Sequence, residues 1–174
     1  MGNGLKELDC LIVRQPYASL IAYGSKRWEF RNHKCQKRGT ICIASSRGTP
    51  LNTGDSFLNS ISKKFPRGFA LAVAALKDSY VVTSQDLKEV FKGRETVRID
   101  GYNIETAAKP LGEPVYDIQR AIKDQGWKRH AWILEDVTSL KTIIPLQNLK
   151  SGSTWTKVEL VEGEPLSKSL ESYF

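Results

Sequence analysis

The sequence predicts an α+β domain in which a mostly antiparallel, closed sheet carries helices at its periphery. Three observations predict it. Short apolar or alternating segments outnumber helical ones along the 174 residues. The helical segments are scattered between them instead of following every strand, as βαβ units would require. No Gly-rich phosphate loop follows a strand, so a doubly wound nucleotide-binding sheet is not encoded. With 40% hydrophobic and 26% charged residues, the chain can bury a core without disulfides or metals. One domain is expected over residues 1–161. An acidic, Ser-rich tail without fixed structure is expected over residues 162–174.

The elements follow in order. Cys10 to Arg14 is a short apolar run and reads as a strand. Gln15 leads into Pro16, which suits a first helical turn because its missing N–H costs nothing there. Tyr17, Leu20 and Ile21 then share one helix face, and Gly24 stops the helix. Lys26 to Asn32 alternates, with Trp28 and Phe30 on a dry face and Glu29 and Arg31 on a wet one. Gly39 to Ser46 reads as a strand with Ile41 and Ile43 buried. Residues 47–68 form an excursion around a weak helix. Phe69 to Val82 is the longest apolar run and reads as a central strand, bent near Asp78-Ser79. Thr83 to Asp86 resembles a capping box for a helix through Leu87, Val90 and Phe91. Residues 94–113 show little regular signal. A helix starts at Pro114 and is closed by Gly126. Ala131 to Leu134, Lys141 to Pro145 and Thr154 to Val161 supply the last strands.

The net charge is +7, and it is concentrated at one end of the chain. Residues 1–70 hold twelve Lys/Arg against four Asp/Glu, whereas residues 71–155 hold twelve against eleven. A positive face that attracts phosphates is therefore expected. Cys10, Cys35 and Cys42 form no Cys-x-x-Cys motif, and His33 and Cys35 lack acidic partners at metal spacing. That excludes a structural zinc site from the reading, and no metal or other cofactor is expected. The first residues lack a signal-peptide core, no segment is long and apolar enough to span a membrane, and Lys6 departs from a myristoylation signal. A cytoplasmic setting is expected, or a nuclear one in a eukaryote.

The chemistry gathers where the first helix meets the alternating strand. Lys26, Glu29 and Arg31 converge there. Arg31 can fork onto a phosphate or a carboxylate. Lys26 offers a point charge, or a base if deprotonated. Glu29 can accept a base N–H or act as a general base. The bland alternative is an ion-pair network in which Glu29 only neutralises its two cations. His33, Lys34, Lys37, Arg38 and Arg47 extend the charge as a basic rim suited to phosphate contacts. Trp28, Trp132 and Trp155 read as core residues. Tyr17 offers a stacking surface, and Trp127 reads as an exposed aromatic on the basic loop of Lys128, Arg129 and His130.

The run Val13-Arg14-Gln15-Pro16-Tyr17-Ala18-Ser19-Leu20-Ile21, followed by Gly24-Ser25-Lys26-Arg27-Trp28-Glu29-Phe30-Arg31, resembles the signature of the ASCH family. That signature is a Gln-Pro-aromatic-Ala helix start and then Gly-x-Lys-x-x-Glu-x-Arg. Arg38 to Ser45, His130 to Val137 and Gly152 to Trp155 are similar to later strands of the family. The likeness runs from about residue 10 to residue 160, with residues 47–68 and 94–128 as longer connections. It implies a PUA-like β-barrel whose cleft, at the signature positions, is the binding or active site.

The leading expectation is RNA binding in a basic cleft, single strands being favoured over duplex DNA. Its contact residues would be Gln15, Tyr17, Lys26, Arg31, Lys34, Lys37, Arg38, Ser45, Arg47, Trp127, Lys128 and Arg129. The alternative is a hydrolase on the same cleft, with Lys26, Glu29 and Arg31 as catalytic residues. The resemblance implies either an amidohydrolase acting on N4-acetylcytidine-type nucleosides or a ribonuclease, metal-independent or metal-assisted. The amidohydrolase branch carries Thr where this chain has Glu29, and its members are shorter. An adaptor for acidic peptides is a third class, which no sequence feature favours.

Overall fold

The computed structural model describes residues 5–147, 149–161 and 166–167. Its centre is a single mixed sheet. β1 (Leu5–Val13) lies between β3 (Gly39–Ser45), to which it is parallel, and β8 (Trp155–Val161), to which it is antiparallel. β3 continues antiparallel into β4 (Phe69–Thr83), β4 into β7 (Lys128–Pro145), and β7 into β2 (Trp28–Arg31). The order is thus β2-β7-β4-β3-β1-β8, with the two-residue β9 (Leu166–Ser167) beside β7. The α+β class with mostly antiparallel pairing is as the sequence predicts. The closed barrel is not: among the described residues no pairing joins β2 to β8.

Alternation along each strand sorts the side chains into clusters. Leu11 and Val13 of β1, and Ile41 and Ile43 of β3, face a large core completed by Leu71, Leu76 and Trp132. The helix α1 (Tyr17–Ala22) plugs this core through Leu20 and Ile21, both fully buried. The intervening residues Leu8, Cys10 and Ile12, with Cys42 and Ala44, face a second cluster closed by Leu140, Leu146, Val158 and Leu160. Cys10 and Cys42 pair in register there. The neighbouring Cys42 thiol and then burial push the Cys10 thiol far above its ordinary pKa, which leaves it an inert, packed side chain. A third cluster joins Val82 and Ala131 to α3 (Ser84–Val90) and α4 (Val115–Lys123) through Leu87, Leu111 and Ile118.

Local chemistry accounts for most boundaries. Thr83 and Asp86 form the full capping box that starts α3. Asp55 caps the excursion helix α2 (Ser56–Ser62) by accepting from the Leu58 N–H. β4 shifts register between Leu76 and Asp78, beside the bend expected at Asp78-Ser79. Residues 94–113 depart from the sequence reading. They contain an antiparallel hairpin, β5 (Arg94–Ile99) and β6 (Tyr102–Ala107), turned by Asp100 and Gly101 at φ 50 and 79. β7 is likewise one strand where the sequence suggests two. The polar Glu135-Asp136 step, with Asp136 at φ 51, lies inside it. Apart from β9, the tail expected over residues 162–174 lies outside the described residues.

Candidate nucleic-acid interface

A cleft of about 1150 Å³ opens beside the unclosed edge of the sheet. The ends of β1 and β2 form its floor. α4 forms one wall, the loop 46–52 another, and residues 149–154 a third.

The floor is organised around Lys26. Its side chain is fully buried, and its ammonium donates to the Trp28 carbonyl at 2.5 Å and to Glu113 Oε1 at 2.8 Å. Glu29 Oε1 lies 3.7 Å away, and the rings of Phe30 and Tyr17 flank the charge at 5.0 and 5.5 Å. An ammonium stripped of water costs several kcal/mol unless it is paired and hydrogen-bonded, and this shell supplies both. Two local devices place it. Arg27 donates to the carbonyls of Ile21, Gly24 and Lys26, which satisfies the end of α1. Residues 108–113 then fold onto the strand start. The Pro110 carbonyl accepts from the N–H groups of Arg27 and Trp28. Gly112, at φ +61, sits so close that a Cβ would fall 2.2 Å from the Lys26 nitrogen.

Glu113 is thereby held on the floor with Oε1 on Lys26. Its Oε2 has no hydrogen-bond partner among the described residues. Burial raises its pKa, and the Lys26 ammonium opposes that rise without cancelling it. Glu29 is engaged differently. Its Oε2 accepts from Arg31 Nε at 3.2 Å and Arg31 Nη2 at 2.9 Å. Arg31 Nη2 also donates to the Ile12 carbonyl at 2.8 Å, and so links β2 to β1 across the open edge. Its guanidinium lies 5.4 Å from the ring centre of Trp132, which stacks on Trp155. Lys37 caps the far side of that stack at 5.2 Å.

The Lys26, Glu29 and Arg31 cluster therefore forms, with Trp28 and Phe30 on the dry side of β2 as expected, but the other side is not fully wet because Glu29 is buried. Glu29 is opposite the buried Trp132 and turns inward. Trp28 and Phe30 pack against the α3/α4 cluster. Of the other expected contact residues, Tyr17, Arg47, Trp127 and Arg129 line the cleft. Burial raises the pKa of Tyr17, so its hydroxyl stays protonated and able to donate. Phe30 and Trp127 meet edge to face at 5.2 Å, and Arg129 lies 5.6 Å from the Trp127 ring centre.

The remaining expected residues lie elsewhere. Gln15 is fully buried, donating to the Pro66 carbonyl at 2.8 Å and accepting from the Ser19 N–H at 3.0 Å. Ser45 is buried and exchanges hydrogen bonds with the backbone of Phe69. Lys34, Lys37, Arg38 and Lys128 are exposed and outside the cleft lining. Lys37 pairs with Asp9, and Arg38 with Asp78.

The cleft also gathers residues the sequence reading did not single out. Arg14 donates to the Thr49 carbonyl, and Asp117 accepts from the Gly54 N–H, so two ties anchor the ends of the 49–54 loop. Arg120 and Lys150 add positive charge to the rim, and the buried Ser46 Oγ has no partner among the described residues. Glu113 is the main omission. A Gly-Glu-Pro sequence before a helix was its only local signal. No group of His, Cys, Asp and Glu suited to a metal occurs among the described residues. No helix there is long and apolar enough to cross a membrane.

Comparison with known proteins bears on the fold and the family. A mutant of the ASCH protein ZmASCH from Zymomonas mobilis, known from its crystal structure, superposes with a TM-score of 0.51. The match covers 86% of this chain and 88% of that one at 13% identity, so it speaks to the fold alone. No curated protein matches in sequence. The family profile described as the ASCH domain matches residues 11–144, which spans the signature, the Lys26 shell and the cleft-forming helix α4; the chain belongs to the ASCH domain family, whose members are generally linked to RNA binding.

Proposed function

We propose that this protein binds single-stranded RNA, with one unstacked base in the cleft and the flanking phosphates on its rim. The observation that carries this reading is the layering of the cleft. Aromatic rings and fixed carboxylates lie on the floor, and Arg14, Arg47, Arg120, Arg129 and Lys150 stand around the opening. Rim cations position a phosphate chain, while a base is recognised by stacking and by its hydrogen-bonding edges. The cleft is walled on three sides, which suits a splayed single strand and not a duplex.

The test is a titration of short single-stranded RNA at several salt concentrations. Affinity should fall linearly on a log–log plot, and Arg120→Ala and Arg129→Ala should each reduce the slope by about 0.7. A binding constant that ignores salt would refute the reading.

A hydrolase reading is supported by one specific observation. Glu113 combines a raised pKa with an oxygen that faces the cleft, which suits a group that carries a proton. On that reading Lys26, sealed beneath the floor, orients Glu113, and Glu29 and Arg31 hold the other side. Product formed from RNA or N4-acetylcytidine, and lost in Glu113→Gln, would support it.

A further inference from the structure

We propose that the floor of the cleft takes the Watson–Crick edge of a guanine base, an inference that rests on the RNA reading above. A carboxylate accepts hydrogen bonds and donates none. Two carboxylates, Glu29 and Glu113, are turned into the cleft and anchored by the same ammonium of Lys26. Each keeps acceptor capacity. Glu113 Oε2 is uncommitted among the described residues, and Glu29 Oε1, 3.7 Å from the Lys26 ammonium, accepts no hydrogen bond there. Lys26 beneath them is taken up by the Trp28 carbonyl and Glu113, and Arg31 beside Glu29 is turned onto Glu29 Oε2 and the Ile12 carbonyl. The floor therefore offers acceptors side by side.

Guanine is the base whose edge matches. Its N1–H and N2 amino group are adjacent donors, which a carboxylate can take together. Uracil places a carbonyl on each side of its single N–H. Adenine and cytosine each set an acceptor nitrogen beside their amino group. Any of these three would turn a lone pair toward a carboxylate and lose water without a replacement partner. The carbonyl O6 of guanine needs a donor, and Tyr17, which lines the same cleft, carries a protonated hydroxyl. The perpendicular rings of Phe30 and Trp127 form a corner that offers a stacking face. The cleft volume leaves room for the ribose and its phosphates at the rim.

The test compares fluorescein-labelled seven-residue RNAs that differ only at the central base of a uridine run, by anisotropy at pH 8 and low salt. Central guanine should bind roughly tenfold or more tightly than central uracil, adenine or cytosine. Inosine, which lacks the N2 amino group, should lose most of that gain, and 1-methylguanosine all of it. These changes are made in the ligand, so they need no altered protein. Glu113→Gln should remove the preference for guanine. Equal, salt-dependent binding of all the RNAs would overturn the guanine assignment and leave the RNA reading standing. No binding of any of them would overturn both.

Discussion

Gly112 provides a direct test of how the floor is assembled, through Gly112→Ala. The residue has a φ of +61, and its missing Cβ would meet the Lys26 nitrogen at 2.2 Å, the Lys26 Cα at 2.3 Å and the Ser25 carbonyl carbon at 2.6 Å. All three are backbone atoms, so no side chain can swing aside. A left-handed conformation costs an L-residue about 1–2 kcal/mol. Forcing an extra methyl into packed structure costs about 1–3 kcal/mol. The sum is about 2–5 kcal/mol, or a fall in Tm of roughly 5–15 °C for a chain of this size. Gly101 supplies the control. It has φ +79 in the hairpin turn, but its Cβ would meet nothing within 4 Å. Gly101→Ala should lose only the conformational part. Urea denaturation of both variants separates the two contributions, and retained RNA affinity in Gly101→Ala alone would place the functional effect at the floor. Equal stability losses in the two variants would refute the seating of residues 111–113 on Lys26.

Two further outcomes follow from the buried charges. Lys26→Met should cost about 3–5 kcal/mol by leaving Glu113 buried without its cation. The double variant Lys26→Met/Glu113→Gln should recover part of that loss, because the two sites share one interaction. A single-variant loss below about 1 kcal/mol in urea would contradict the arrangement. The raised pKa of Glu113 also fixes a sign. The folded state holds this proton more tightly than the unfolded one, so the contribution of Glu113 to stability falls as pH rises from its ordinary carboxylate pKa through its folded value. Thermal melts across that range should show the wild type gaining on Glu113→Gln as the solution is acidified. A pH-independent difference would show that the carboxyl is not held away from water.

How much of this site can be read from sequence depends on how far apart its parts lie. Lys26, Glu29 and Arg31 occupy one turn and one strand, where short-range spacing sets their positions. Glu113 reaches Lys26 from 87 positions away, and no periodicity encodes that approach. The β5/β6 hairpin carried a usable signal, since Asp-Gly between alternating residues favours a tight turn. The charges at Arg94, Glu95, Arg98 and Glu105 obscured it, because a mostly exposed hairpin needs few apolar positions. The alternation of β2 was legible, but the burial of Glu29 was not. That burial depends on distant residues, since Glu29 sits opposite Trp132 and between Lys26 and Arg31 at the bottom of the cleft.

The open edge and the cleft have a common origin. A closed sheet would satisfy the free edge of β2 with a neighbouring backbone and leave no gap there. Here the link to β1 is made by a side chain, with the Arg31 guanidinium on the Ile12 carbonyl and both remaining contacts on Glu29. A guanidinium is planar and presents its donors in a fixed fork. It can therefore hold two strands in place while keeping them a side chain's length apart. Residues 149–154 line the space this leaves, without pairing to β2. The same residue that ties the edge also fixes Glu29 for the floor. The departure from a closed barrel thus leaves the recess that the proposed base would enter, and Arg31 both ties its edge and holds Glu29 in it.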